Sequence, residues 1–147
     1  MLSVIIPAYN EEQCIRRVYT AIQGLLTENN IESEFVFVDD GSTDETYKRI
    51  SELAFEKGNV IGLHFSRNFG KESAISAGLA TVCGDCAVVI DCDLQHPPEK
   101  IIEMYRLWEQ GYEIVEGIKK SADRKKRCTA SAQDFFIPSS AVWRDLI

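Results

Sequence analysis

Val89-Ile90-Asp91-Cys92-Asp93-Leu94-Gln95-His96-Pro97-Pro98 decides how this chain is read. An apolar run, Ala87 to Ile90, stops abruptly at two carboxylates spaced i, i+2. A buried strand that carries Asp-x-Asp to its carboxyl end puts hard oxygen ligands at the rim of a sheet. Open α/β folds bind ligands there. Neighbouring carboxylates repel each other and attract a divalent cation, and Mg²⁺ or Mn²⁺ commonly takes such oxygens together with those of a phosphate. The plainer alternative is a strand-to-turn junction whose aspartates bond backbone amides.

Outward from that stretch, strands alternate with helices, which predicts an α/β fold: a mostly parallel sheet with helices on both faces. The first strand is Ser3 to Ile6, closed by Pro7. Asn10 with Gln13 reads as a capping box for a helix carrying Ile15, Val18, Tyr19, Ile22, Leu25 and Leu26. Glu34 to Val38 is the second strand. Ser42 with Glu45 reads as a second capping box, for a helix that turns Tyr47, Ile50, Leu53 and Ala54 inward. Val60 to Phe65 is a third strand, and a helix over about Glu72 to Val82 follows the polar loop Ser66 to Lys71. Cys86 to Ile90 is the fourth strand. Pro98 suits the first position of a helix burying Ile101, Ile102, Tyr105 and Trp108. Tyr112 to Val115 is the fifth strand. Cys128 to Ile147 shows no clean period and is too apolar for a free tail.

The chain has 147 residues, 45% hydrophobic and 27% charged, enough for a domain with a real core. A net charge of -7 argues against general nucleic-acid binding. No window approaches the roughly 18 consecutive apolar residues of a membrane span. The amino terminus reads as a strand, without the basic flank and long apolar core of a signal peptide. Five cysteines without a secretion signal point to reduced thiols in the cytosol.

Polar clusters follow three of the strands: Pro7-Ala8-Tyr9-Asn10-Glu11, Asp39-Asp40-Gly41-Ser42 and Asp91-Cys92-Asp93. In a parallel sheet these ends share one edge. Tyr9 can stack on a base. Asp40 can accept from a pyrimidine ring N–H or from ribose hydroxyls. Asp91 and Asp93 can hold a metal that neutralises a diphosphate.

Ser-Val-Ile-Ile-Pro-Ala-Tyr-Asn-Glu-Glu, Val-Asp-Asp-Gly-Ser-Thr-Asp, Ser-Arg-Asn-Phe-Gly-Lys-Glu and Asp-Cys-Asp-Leu-Gln-His-Pro-Pro-Glu stand in the order of a known family. From about Ser3 to Lys120 the chain resembles family 2 inverting glycosyltransferases of the GT-A fold. The branch it resembles is the polyprenyl-phosphate one, that of dolichol-phosphate mannosyltransferase and the undecaprenyl-phosphate glucosyltransferases. The resemblance implies that Pro7, Tyr9, Glu11, Val38 and Asp40 surround the nucleoside. It implies that Asp91, Asp93 and Gln95 bind Mg²⁺ or Mn²⁺ and the diphosphate, with Asp93 a catalytic residue. Lys119 matches a basic position near the phosphates. Arg67 and Lys71 fall in a loop of the branch without an assigned role, and Arg67 can equally be a surface ion pair. Asp39 can simply cap a turn. His96, between Gln95 and two prolines, reads as a loop hydrogen-bonder.

The implied reaction is displacement at the anomeric carbon of a nucleoside-diphosphate sugar, UDP-glucose first, with inversion. The implied acceptor is a polyprenyl phosphate at the cytoplasmic face of a membrane. A lipid monophosphate is already an anion, with a second pKa of about 6, so it needs less help from a base than a hydroxyl does. Lys119 to Arg127 holds six basic side chains and one acid, which suits a phosphate or is only a solvated charge run.

The pattern divides the chain into a nucleotide-sugar-binding unit, residues 1–120, and a basic loop with an atypical tail, residues 121–147. Members of the branch are longer and carry an acceptor-side segment. Asp134 in Ala132-Gln133-Asp134-Phe135 resembles its Gly-Asp-Phe motif and is a second catalytic candidate, though it arrives early. The expectation is a fragment lacking the acceptor half, or one with an out-of-frame tail, that binds donor with weak turnover. Two other classes stay open. A non-catalytic nucleotide-sugar-binding remnant would share every donor residue. Cys83-Gly84-Asp85-Cys86 offers a redox pair or half a zinc site, but no second pair exists and it opens a strand. Oligomeric state is not legible.

Overall fold

The computed structural model describes residues 1–94, 97–112, 115–116 and 135–138. Three strands run parallel at its centre. β1 (Leu2–Ala8) pairs on one side with β2 (Ser33–Asp39) and on the other with β4 (Cys86–Val89), and β3 (Val60–His64) adds beyond β2. β1, β2 and β4 are buried along their whole length. Their near-continuous apolar runs are what a parallel sheet covered on both faces requires. The sheet has six strands in the order β3-β2-β1-β4-β6-β5 and is an α/β fold of the GT-A, Rossmann-like kind.

Alternate residues of each strand feed two cores. Leu2, Val4, Ile6, Phe35, Phe37 and Val88 face α1 (Ile15–Glu28), α2 (Thr46–Glu56) and α4 (Glu99–Glu109). Ile5, Val36, Val38, Ala87 and Val89 face α3 (Lys71–Thr81). That helix sits close to the sheet because Gly78 has no side chain. A Cβ there would lie 2.5 Å from Ile5 Cγ2. Of the expected inward residues of α4, Ile101 is buried, and Ile102, Tyr105 and Trp108 pack against the core half-buried. Tyr47 was expected inside but is 40% exposed. It stacks on His64 with ring centroids 4.3 Å apart, its hydroxyl-bearing ring covering the end of β3.

Neither expected capping box forms. α1 starts only at Ile15 and α2 only at Thr46, and neither N-cap makes a side-chain bond. Asn10 and Ser42 spend their side chains across the gap between two loops, as described below.

The tail contributes to the sheet. β6 (Phe135–Pro138) lies antiparallel to β4, with Val88 opposite Phe136, and β5 (Val115–Glu116) pairs antiparallel with β6. The aperiodic apolar stretch thus supplies a strand between β4 and β5. Among the described residues no helix is long and apolar enough to cross a membrane.

Candidate active site

The carboxyl ends of β1, β2, β3 and β4 open on a cleft of about 350 Å³. Strand order reverses between β2-β1 and β1-β4, which makes this edge a topological switch point, the usual ligand site of such sheets. Pro7, Tyr9 and Glu11 enter the cleft from β1, Asp40 from β2, Asn68 and Lys71 from beyond β3, and Asp91 and Asp93 from β4.

The first two loops brace each other. Asn10 takes a left-handed φ of 55°, tolerable for asparagine. Its N–H donates to Ser42 Oγ at 2.8 Å, and its Oδ1 accepts from Thr43 N–H at 2.9 Å. Glu11 N–H donates to Thr46 Oγ1 at 2.8 Å, and Glu12 Oε2 accepts from Glu45 N–H at 3.0 Å. These bonds satisfy loop amides that the helices and strands leave unpaired.

The paired aspartates divide the work. Asp39 is fully buried. It accepts from the Ser42 hydroxyl and amide and meets His64 Nδ1 at 2.6 Å, tying β2 to its own turn and to β3. Asp40 accepts from Phe69 N–H at 2.7 Å and Gly70 N–H at 2.9 Å, one bond on each carboxylate oxygen. It therefore anchors the 66–70 loop while lining the cleft. Arg67 lays its guanidinium 4.8 Å from the centroid of Phe69, which meets Phe65 edge-to-face. Arg67 is thus a packing residue over an aromatic ring.

The i, i+2 spacing of Asp91 and Asp93 now has a physical reason. All three residues line the cleft, but Cys92 between the two carboxylates is buried against the core, which pushes its thiol pKa up. Asp91 pairs with the Lys71 ammonium. Asp91 and Asp93 are carboxylate oxygen donors on the cleft, the ligand type Mg²⁺ and Mn²⁺ take. Among the described residues no group of three or more His, Cys, Asp or Glu side chains could hold one alone. The fit is to a cation shared between protein carboxylates and phosphate oxygens.

Pro7, Tyr9, Glu11, Asp40, Asp91 and Asp93 thus converge as expected. Val38 does not: its side chain is fully buried against α3 and faces away from the cleft. Gln95, His96, Lys119 and Asp134 lie outside the described residues. The sequence reading gave no role to the loop after β3. Its signal was available, since β3 ends on the same edge as its parallel neighbours.

Cys83-x-x-Cys86 sits at the opposite end of β4. Cys86 is fully buried, and burial pushes its thiol up to about 12, whereas Cys83 is exposed. A thiol held so firmly protonated is a poor nucleophile and metal ligand. Elemental analysis of purified protein should find zinc well below stoichiometric amounts, and one zinc per chain would contradict this assignment.

Fold and cleft together define an α/β protein of the GT-A class. The chain belongs to the glycosyl transferase family 2, whose family model matches residues 3–138. Uncharacterized glycosyltransferase YkcC of Bacillus subtilis is 39% identical over 117 residues, which is 80% of this chain and 36% of YkcC. The prophage bactoprenol glucosyl transferase homolog of Escherichia coli K12 is 39% identical over 123 residues, 84% of this chain and 40% of the homolog. The chain therefore spans well under half the length of these curated relatives. Among solved structures, glucosyl-3-phosphoglycerate synthase from Mycobacterium tuberculosis in complex with Mn²⁺, UDP and glucosyl-3-phosphoglycerate matches with a TM-score of 0.64 at 27% identity. That match covers 82% of this chain and 44% of the synthase.

Proposed function

We propose that this chain provides the donor site of a transferase that moves a sugar, glucose first, from a nucleoside diphosphate to a polyprenyl phosphate with inversion. The observation that carries the reading is the placing of Asp91 and Asp93 on one cleft with Tyr9, Glu11 and Asp40. Bactoprenol glucosyl transferases among the relatives support the lipid acceptor, and the Mn²⁺ and UDP of the matched synthase support the donor.

In this reading Tyr9, 46% exposed at the rim, stacks on the base. Pro7, Glu11 and Asp40 bound the nucleoside. Asp91 and Asp93, with Gln95, hold Mg²⁺ or Mn²⁺, and the bound cation supplies charge neutralisation for the departing diphosphate. Asp93 is the catalytic carboxylate, and Asp134 a second candidate on the acceptor side. Lys119 and the basic run to Arg127 attract the acceptor phosphate at a membrane surface. Residues 1–120 bind the nucleotide sugar, and residues 121–147 follow as a basic loop and a tail that lends β6 to the sheet.

Calorimetry with UDP tests the reading. Binding should require Mn²⁺, and Asp91→Ala or Asp93→Ala should each weaken it by about 1–3 kcal/mol, the worth of a charged contact. Equal affinity with and without Mn²⁺ would sink it.

A further inference from the structure

Lys71 is oddly placed for a lysine. It is the first residue of α3, where the helix dipole is positive and disfavours a cation. The helix gains nothing locally from an ammonium there. Glu72 beside it is the residue type a first turn prefers. A residue that breaks a local rule usually serves a tertiary purpose. Here the ammonium crosses the cleft to Asp91.

Charge explains why the cleft needs it. The described residues lining the cleft include four carboxylates, of Glu11, Asp40, Asp91 and Asp93, and one ammonium, that of Lys71. A diphosphate cannot approach such a rim until positive charge is supplied. Lys71 is also registered to the nucleoside side of the cleft. Asp40 fixes Gly70 N–H at 2.9 Å, and Gly70 adopts φ 96°, from which α3 departs at Lys71. Asp40, Gly70, Lys71 and Asp91 form a continuous chain across the cleft.

We propose that Lys71 is a tethered counter-cation that exchanges partners. Without donor it neutralises Asp91 and competes with a divalent cation for that carboxylate. When cation and nucleotide arrive together, the cation takes Asp91, and the flexible lysine stem turns the ammonium onto a phosphate oxygen. Cation and nucleotide then each favour the other's binding, a coupling between two ligands that is reciprocal by thermodynamic necessity. Lys71 is a ligand-contacting residue in this scheme. The inference rests on the donor-site reading above.

The test separates two ligands in one variant. Mn²⁺ alone is titrated by its paramagnetic resonance signal, and UDP is titrated by calorimetry at saturating Mn²⁺, for wild type, Lys71→Met and Lys71→Arg. Lys71→Met should bind Mn²⁺ alone about fivefold more tightly, because a partly exposed competing ion pair is gone. It should bind UDP with Mn²⁺ about tenfold more weakly, because a charge-assisted bond to phosphate is lost. Lys71→Arg should keep the wild-type order of both. A merely structural lysine would weaken both ligands together or neither. With normal UDP binding by wild type, unchanged or weaker Mn²⁺ affinity in Lys71→Met overturns the role of Lys71 alone. Mn²⁺ binding by wild type without any UDP binding overturns the donor-site reading and the phosphate half of this inference with it.

Discussion

Gly41→Ala is expected to destabilise the chain by about 2–4 kcal/mol and to abolish nucleotide binding. Gly41 holds φ 69°, a left-handed conformation that costs an L side chain about 1 kcal/mol. The larger penalty comes from contact. A Cβ at Gly41 would run into the Arg67 carbonyl carbon and lie 2.6 Å from Asn68 N and 2.7 Å from Arg67 Cα. All three are backbone-chain atoms, so no rotamer change relieves the overlap, and the 66–70 loop must move bodily. That movement breaks the bonds from Phe69 and Gly70 to Asp40 and detaches the start of α3 from the cleft. At roughly 3 °C per kcal/mol for a chain of this size, thermal melting should fall by about 10 °C. Calorimetry with UDP and Mn²⁺ should show no heat at concentrations that saturate wild type. A melting point within about 2 °C of wild type, the scatter of neutral substitutions, would mean that the two loops do not seat against each other as described.

The loop contact at Gly41 also shows what the sequence could and could not disclose. β1, β2 and β4 were legible because strands buried on both faces must read as unbroken apolar runs. α1 was legible because Ile15, Val18, Tyr19, Ile22 and Leu26 recur at helical spacing. β6 was not, because a four-residue strand has no period to detect and its partner β4 is far away in sequence. The capping boxes failed for a related reason. Asn10 and Ser42 do accept backbone N–H bonds as such residues tend to, but the donors belong to each other's loop. Local pattern identified the chemistry of these side chains and missed their partners.

The cleft was legible to the same depth. Three clusters could be placed on one edge from strand direction alone. Val38 was carried along by its neighbour Asp40. Val38 still lies inside β2 and points into the α3 core, whereas Asp40 lies just past the strand's end, where alternation no longer applies and the chain turns to the cleft. Lys71 and Asn68 were seen in their motif but given no role, because an ion pair across a cleft, such as Lys71 with Asp91, leaves no periodic trace.

Asp40→Ala is expected to release the 66–70 loop at a cost of about 3 kcal/mol. Two backbone donors lose a charged acceptor at once, and each such bond is worth about 1.5–3 kcal/mol with some recovery from water. Asp40 is almost fully buried but lines the open cleft, and Phe69 is exposed, so water recovers part of the loss. The effect should be local. Hydrogen exchange of the Phe69 and Gly70 amides should accelerate by about a hundredfold, since each 1.4 kcal/mol is a factor of ten. Amides within β1 and β2, bonded to each other in the sheet, should hold. Asp40→Asn should fall between, because the amide oxygen keeps one N–H while its NH₂ faces the other donor. Loop release also predicts a functional consequence separable from direct contact with a base. A carboxylate offers about four lone-pair sites, so two backbone bonds leave capacity for a nucleoside. If Asp40 only touched the nucleoside, Asp40→Asn would weaken UDP while leaving Mn²⁺ binding alone unchanged. With the loop anchored as described, Asp40→Asn also frees Lys71 from Asp91 and should tighten Mn²⁺ alone, in the same direction as Lys71→Met. Amide exchange at Phe69 and Gly70 that stays at the wild-type rate in both Asp40 variants would show that the carboxylate does not hold the loop.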